Sequence, residues 1–589
     1  MTATSTEETT AESSEGSAEE SRTHSAEPTG GHRQRLPWGV YSVLAVVYIA
    51  LGVWLNAEVK FIFTDAMSRV AAVSAMLWSR DPHFAAVGFV FTPLPAVAQI
   101  PMGLLGQLWP ELLRWNITAS VMSALFMAGA VMQIRGIALD RGCAKWVTVT
   151  LTVLFAVNPM ILMYASNGMS EAPYLFFVIW AVRRLIRWMR NDDAHDLIAA
   201  GLALALAYLT RYDALAPMFV AVVLVFIVSW IRFPKTDDDT KFHRWWAAGI
   251  DATVVLIPGL IAFLAWSASS WLITGQAFQQ FSSVYGNSAI IEQAGGAADT
   301  PFSRLMFSLT EIFVLGPAFP ILTAAALILA WRRRDPEVVV PILLFGSVIG
   351  AQTLLYMMGS TFPFLRFYLA VVPLCFVLAV LIAPRDRAVV SRRPGRAAAS
   401  EAVPDQPKYA GPSIMLVISL VLLLGSTALT FVAMGSTRLA SLEHSLASVI
   451  IPGRQDPDEQ AILRTFGAER RIADYLDALN LPDGSVLADT VLAFGVVTAS
   501  DKPKQFVITS DTDFVKILNN PSENGVEYIL TVPNEERGVA DAINRRYPTM
   551  YETGSGGIGA LVIEVENDGG TVPPAWRLYR LTGNQQSGG

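Results

Sequence analysis

Residues 38–55 read WGVYSVLAVVYIALGVWL, a run without a single charge, and residues 56–70 continue as NAEVKFIFTDAMSRV. A helix needs about 20 mostly apolar residues to cross the hydrocarbon layer. The first stretch therefore reads as a membrane span, and the second as the loop it delivers to one face. Similar runs begin near Leu112, Trp146, Ala172, Leu197, Ala214, Ala248, Thr310, Val338, Phe367 and Pro412, giving about 11 spans. Over 589 residues only 16% are charged and 53% are hydrophobic, whereas soluble domains carry roughly 25% charged residues. The fold class expected is mainly α, a polytopic membrane helix bundle, with a C-terminal extracytoplasmic α/β domain.

Basic clusters orient the spans. Arg135–Arg141–Lys145, Arg183–Arg184–Arg187–Arg190, Arg232–Lys235–Lys241–Arg244, Arg332–Arg333–Arg334 and Arg385–Arg387–Arg392–Arg393–Arg396 fall on every second connection. All can be cytoplasmic together only if residues 84–109 do not cross. That stretch is rich in proline (Pro93, Pro95, Pro101, then Pro110) and suits an interfacial or re-entrant segment. Residues 1–36, with seven acidic and three basic side chains, are too polar to offset their ordering entropy and read as a disordered cytoplasmic tail. Residues 37–435 form the transmembrane domain, with a first outer loop at about 56–110. Residues 436–589 form the extracytoplasmic α/β domain.

Several function classes fall away. A net charge of −7 without basic–aromatic interleaving argues against nucleic acid as a partner. The two cysteines, Cys143 and Cys375, exclude disulfide frameworks and zinc ribbons. His83 and the scattered acids match no metal-ligand spacing, so a divalent metal has no support from the sequence and none is assigned. Gly554, Gly556 and Gly559 spell GxGxxG, but a strand follows where a dinucleotide site needs a helix N-terminus, so they read as a hairpin or loop.

In the first outer loop Thr64 caps a helix whose apolar positions Met67, Val70, Ser74, Leu77 and Trp78 roughly follow a 3.6 period, so that it lies in the interface with its apolar side down. Asp65 and Arg69, four apart, are on one reading a surface ion pair. On the other, Asp65 is a general base whose pKa is raised by partial desolvation. The loop from Thr274 to Leu309, with Gly275, Gly286, Gly295 and Gly296, either closes over substrate or is a mobile connection.

An acid just after the first span, an outer loop ending in Pro93–Leu94–Pro95, Ser170–Glu171 at an outer span end, and Arg366–Phe367–Tyr368 before Pro373 together resemble the GT-C superfamily of integral-membrane glycosyltransferases. The protein mannosyltransferase and lipid A aminoarabinose transferase group is the most similar, over roughly Trp38 to Ala383. Ala66 departs from the pattern, since many relatives carry a second acid there; a paired metal–carboxylate site is therefore not implied. The resemblance implies an inverting, polyprenyl-phosphate-sugar-dependent transferase at the outer face of the cell membrane. Its partners would be that donor, a glycan, lipid or protein acceptor, and the bilayer, with Asp65 deprotonating the acceptor hydroxyl. Arg366, with Arg211 in reserve, suits the donor phosphate because guanidinium offers it a bidentate fork. Arg69, His83, Glu171 and Asp213 are further substrate-site candidates. Glu311 also lies near an outer span end, where unpaired charge is costly. A transporter or flippase is the alternative, but such proteins place charges near the bilayer midplane. A scaffold presenting the outer domain would not need Asp65, Glu171 and Arg366.

Overall fold

The computed structural model describes residues 38–232, 240–279, 291, 299–385, 413–451, 460–569 and 575–582. The N-terminal tail, the basic cluster from Arg387 to Arg396, and Gly286, Gly295 and Gly296 lie outside the described residues.

The protein is a multi-pass bundle of apolar helices. Its helices run α1 (Trp38–Val53), α2 (Thr64–Trp78), α3 (Ile117–Arg141), α4 (Lys145–Ala156), α5 (Pro159–Ser166), α6 (Glu171–Asn191), α7 (Ala194–Tyr208), α8 (Leu215–Arg232), α9 (Thr240–Thr274), α10 (Pro301–Leu315), α11 (Phe319–Arg333), α12 (Val339–Met357), α13 (Val371–Ile382) and α14 (Ile414–Ala433). Two expected spans are bent. Between α4 and α5 the chain turns by 61°, where Asn158 caps the Met160 and Ile161 amides at 3.1 and 3.5 Å and Pro159 opens the new helix. Between α10 and α11 it turns by 72° around Gly316 and Pro320.

Among the described residues seven helices are long and apolar enough to cross a membrane, and nine if each bent pair counts once. The expected 11 is not reached on that measure. Two of the expected spans, α6 and α7, are helical but differ from the rest. The first carries Arg183, Arg184, Arg187 and Arg190, and the second is 15 residues long. Residues 84–109 hold only short helical turns and no spanning helix. Helix α10 starts at Pro301, so the loop read as running to Leu309 ends earlier.

Arg141, Arg190 and Arg385 converge on Asp335 and Glu337, with Arg141–Asp335 at 3.0 Å, Arg190–Glu337 at 3.0 Å and Arg385–Asp335 at 2.9 Å. Three of the basic clusters thus share one end of the bundle. Helix α3, at 25 residues and 1.5 Å each, carries the chain about 37 Å to the other end.

After α14, Met434, Ala440, Leu442 and Leu446 still pack into the bundle core. Beyond them come α15 (Gly467–Ala478), β1 (Val486–Leu487), α16 (Thr490–Ala499), β2 (Phe506–Val507), β3 (Tyr528–Thr531), β4 (Gly559–Glu566) and β5 (Ala575–Leu581). The sheet has the order β2-β1-β3-β5-β4; β1 is parallel to β2 and β3, and β5 is antiparallel to β3 and β4. Side chains alternate across it. Val486, Phe506 and Tyr528 join one core, while Leu487, Val507 and Ile529 join another on the opposite face. Gly554 and Gly556 adopt left-handed φ of 60° and 71° and Gly559 opens β4, so this glycine run is a loop leading into a strand.

Helix α2 is held from both sides. Val73, Ala75 and Met76 share a core with Ala468, Leu476 and Val496 of the C-terminal domain. Met67 and Val70 pack with Ile62, Leu113 and Phe466, and Ala66 enters the bundle core. Arg80 bridges Asp511 at 3.0 Å and also contacts Asp513, while Asp81 accepts the Thr512 amide and hydroxyl at 2.9 and 2.7 Å. The expectation of an interfacial helix with one apolar side is therefore corrected. The apolar side faces protein, and burial extends round most of the helix because two bodies cover it. Nor does Thr64 cap it. Phe63 occupies the cap position without a side-chain bond, and Thr64 is the first helical residue.

Candidate active site

The loop that carries Asp65 leaves the first apolar helix through a fixed exit. The last turn of the first span, Trp54–Glu58, is a π-helix. Asn56, fully buried there, donates to the Gly52 carbonyl at 2.8 Å and to the Ser120 hydroxyl at 2.9 Å, and accepts from Asn116 at 3.0 Å. Such buried amide networks allow few alternative arrangements, so the chain enters α2 at a set angle. Asp65 then lies in the first turn of α2, where the helix dipole favours a negative charge.

Asp65 is not paired as its spacing suggests. Arg69 donates to the backbone carbonyl of Asp65 at 2.8 Å and to the Ser170 hydroxyl at 3.4 Å, and stacks on Phe91 at 4.7 Å. The Asp65 carboxylate is taken instead by Arg366, 301 residues away, whose Nη2 reaches Oδ2 at 2.9 Å. Arg366 Nε stands 3.7 Å from Glu171 Oε1, and that same oxygen accepts from Arg211 at 2.7 Å. Arg211 also binds Asp213 at 2.7 Å. Arg366, between the Phe364 and Phe367 rings at 5.0 and 5.1 Å, is 7% exposed, whereas the Asp65 side chain is 39% exposed. Three arginines and three acids from four separated parts of the chain thus meet in one place. The six residues are Asp65, Arg69, Glu171, Arg211, Asp213 and Arg366.

The electrostatics run against the desolvation reading of Asp65. Burial does push its carboxyl upward, but the Arg366 and Arg69 guanidiniums pull it further the other way, so it sits below its ordinary 3.8. In this arrangement Asp65 is a firmly ionised partner of Arg366.

His83 lies apart from the cluster and bonds the Asp81 carbonyl at 2.7 Å, on the side of the loop that meets the C-terminal domain. Glu311, buried in α10, makes none of the cluster's bonds, and neither of its carboxylate oxygens has a hydrogen-bond partner. Sequence reasoning missed Tyr164 and Glu443, buried and joined at 2.5 Å. Tyr164 lies inside an apolar run and Glu443 beyond the last span, so no spacing connects them. No group of three or more metal-ligating side chains occurs among the described residues. The arrangement offers guanidinium groups for an anion beside a half-exposed carboxylate able to take a proton.

Residues 115–274 match the family model described as dolichyl-phosphate-mannose-protein mannosyltransferase. No curated protein matches the chain in sequence. Among solved structures, ArnT from Cupriavidus metallidurans, bound to undecaprenyl phosphate, superposes with a TM-score of 0.51 over 92% of this chain and 98% of its own, at 13% identity. The archaeal oligosaccharyltransferase AglB from Archaeoglobus fulgidus aligns with a TM-score of 0.40 over 85% of this chain and 70% of its own, at 12% identity. The S. cerevisiae protein O-mannosyltransferase Pmt1–Pmt2 complex aligns with a TM-score of 0.29 over 41% and 34%, at 17% identity. The chain has the GT-C fold. It resembles the protein mannosyltransferase and aminoarabinose transferase group, as its outer-loop acid and late Arg–Phe–Tyr motif suggest.

Proposed function

We propose that the protein is a polyprenyl-phosphate-sugar-dependent, inverting glycosyltransferase acting at the outer face of the membrane, with the C-terminal domain on that side. The observation that carries this reading is the 2.9 Å contact between the Asp65 carboxylate and the Arg366 guanidinium, a pair suited to taking a proton and to meeting an anion. The undecaprenyl phosphate held by ArnT supports a donor of the same kind.

The acceptor hydroxyl attacks the anomeric carbon, its proton passes to Asp65, and the sugar–oxygen bond breaks to release polyprenyl phosphate. Arg366 serves both partners. Before donor arrives it holds Asp65 ionised. A donor phosphodiester competes for the same guanidinium, because bidentate phosphate recognition is what arginine geometry favours. Withdrawal of Arg366 removes the largest influence lowering the Asp65 pKa, so the carboxylate becomes a better base when donor is bound. Arg211, neutralised by Glu171 and Asp213, supports Arg366 through their shared Glu171.

The test is transfer of label from a radiolabelled polyprenyl-phosphate sugar in membranes containing the protein. Transfer dependent on both the protein and Asp65 is expected. Movement of the intact lipid between leaflets without loss of its sugar would instead make the protein a flippase.

A further inference from the structure

Beside the Asp65–Arg366 pair is a cavity of about 280 Å³ whose lining includes Glu171, Tyr174, Arg211, Asp213, Arg366 and Phe367. Three of these residues are more than nine-tenths buried, at 3% exposed for Glu171, 5% for Tyr174 and 7% for Arg366. Each leaves a polar atom without a hydrogen bond: Glu171 Oε2, the Tyr174 hydroxyl and Arg366 Nε. Buried polar groups are nearly always paired, so three unmet atoms around one cavity ask for a molecule that meets them.

The lining also says what kind of molecule fits. The cavity holds two guanidiniums, Arg211 and Arg366, and two carboxylates, Glu171 and Asp213, and so carries no net charge. A phosphate entering it would face both carboxylates, and an ammonium both guanidiniums. The free atoms comprise one pure acceptor, one hydroxyl that both donates and accepts, and one pure donor. Adjacent hydroxyls on a neutral ring answer that set, since each can give one hydrogen bond and take another. The volume, which counts space open to solvent, leaves no room for an oligosaccharide. Arg366 links this cavity to the catalytic side, with Nη2 on Asp65 and Nε turned toward Glu171.

We propose that this cavity receives the sugar ring of the lipid-linked donor, and that the sugar is neutral and polyhydroxylated rather than an amino sugar or a uronic acid. This rests on the donor reading given above. Tyr174 is then a specificity-determining residue, its hydroxyl reading one of the ring hydroxyls.

The experiment uses the full chain in lipid nanodiscs and measures binding of bare polyprenyl phosphate, of polyprenyl phosphates bearing glucose, mannose, galactose or arabinose, and of amino-sugar counterparts. The wild-type protein is expected to hold at least one neutral sugar donor more tightly than bare polyprenyl phosphate and than any amino-sugar donor. Tyr174→Phe, which keeps the ring, is expected to weaken that donor about three- to tenfold, the effect of one net hydrogen bond, while bare polyprenyl phosphate binds as before. Glu171→Gln should narrow the gap between neutral and amino-sugar donors. Three results overturn the inference while leaving the transferase reading intact. These are Tyr174→Phe binding every probe as wild type does, Tyr174→Phe losing bare and sugar-bearing lipids equally, and a wild-type preference for amino-sugar donors. A wild-type protein that binds no polyprenyl phosphate overturns the transferase reading, and this inference with it.

Discussion

Replacing Asp65 by Asn keeps the shape of the side chain and one hydrogen-bond acceptor for Arg366 Nη2, but removes the charge and the ability to take a proton. Loss of a general base lowers rate by about 10²–10⁴-fold, or about 3–5 kcal/mol of barrier at 1.36 kcal/mol per tenfold. The structural cost is much smaller. Exposed pairs contribute under about 1 kcal/mol and broken buried pairs cost about 3–5 kcal/mol; this pair joins a buried Arg366 to a side chain 39% exposed. Arg366 also keeps Glu171 and two aromatic rings after the change, so about 1 kcal/mol of stability is the expected loss. The variant should therefore accumulate in membranes and unfold within a few degrees of wild type, yet transfer almost no sugar. Both quantities are read on one preparation, by thermal unfolding and by turnover of labelled donor in proteoliposomes. Transfer within a few fold of wild type from a folded Asn variant would refute the assignment and move attention to Glu171 or Asp213. Because Arg69 bonds Asp65 through its backbone carbonyl and not through its carboxylate, Arg69→Ala should not reproduce the Asp65→Asn defect.

Arg366→Lys keeps the charge but not the fork, and should weaken donor binding by about 1–3 kcal/mol; unchanged donor affinity in both the Lys and Ala variants would remove Arg366 from the phosphate site. In the C-terminal domain, burial and then the neighbouring Asp489 push Asp541 up to about 7. A folded-state pKa above the unfolded value means that the folded state binds the proton more tightly, so this group's contribution to stability declines as pH rises from about 4 to about 7. Asp541→Asn retains a side-chain oxygen for the Ile543 and Asn544 amides; it should flatten that dependence and stabilise the protein at pH 8 by on the order of 1–2 kcal/mol, as followed by thermal unfolding across pH. Equal pH profiles for the two proteins would count against the shift. A reporter fused after Ser436 should work only if exported, and one near Arg333 only if cytoplasmic; the reverse result would put the proposed site on the wrong side.

Much of the bundle was legible because apolar runs and basic connections are properties of contiguous sequence, and the glycine run read as a loop is one. The site was legible in its members more than in its bonds. Asp65, Glu171, Arg211 and Arg366 stand out as charges near span ends, but only the folded chain joins Asp65 to Arg366 across 301 residues. The local i, i+4 partner Arg69 was the natural choice from sequence, and it serves the backbone instead. Helix α16 gives no helical signal in the sequence for a related reason. Its TVLAFGVVTA is apolar on every side and β-branched, so no helical period shows, and its start is marked by the Asp489 side chain accepting from the Val491 amide. Tyr174 gave no signal, since one hydroxyl in a helix of aromatic residues looks like packing.

The position of α2 between bundle and C-terminal domain also sets a timetable for synthesis. Arg80 and its partner Asp511 are 431 residues apart, and Val73 and Met76 share their core with residues from Ala468 onward. At about 5–20 residues per second, the helix carrying Asp65 is made roughly 20–90 seconds before the surface that covers it. Through that interval an apolar strip of α2 has no permanent cover, and the acid beside it has no settled seat. A chain halted anywhere in the later spans therefore keeps that apolar strip of α2 uncovered.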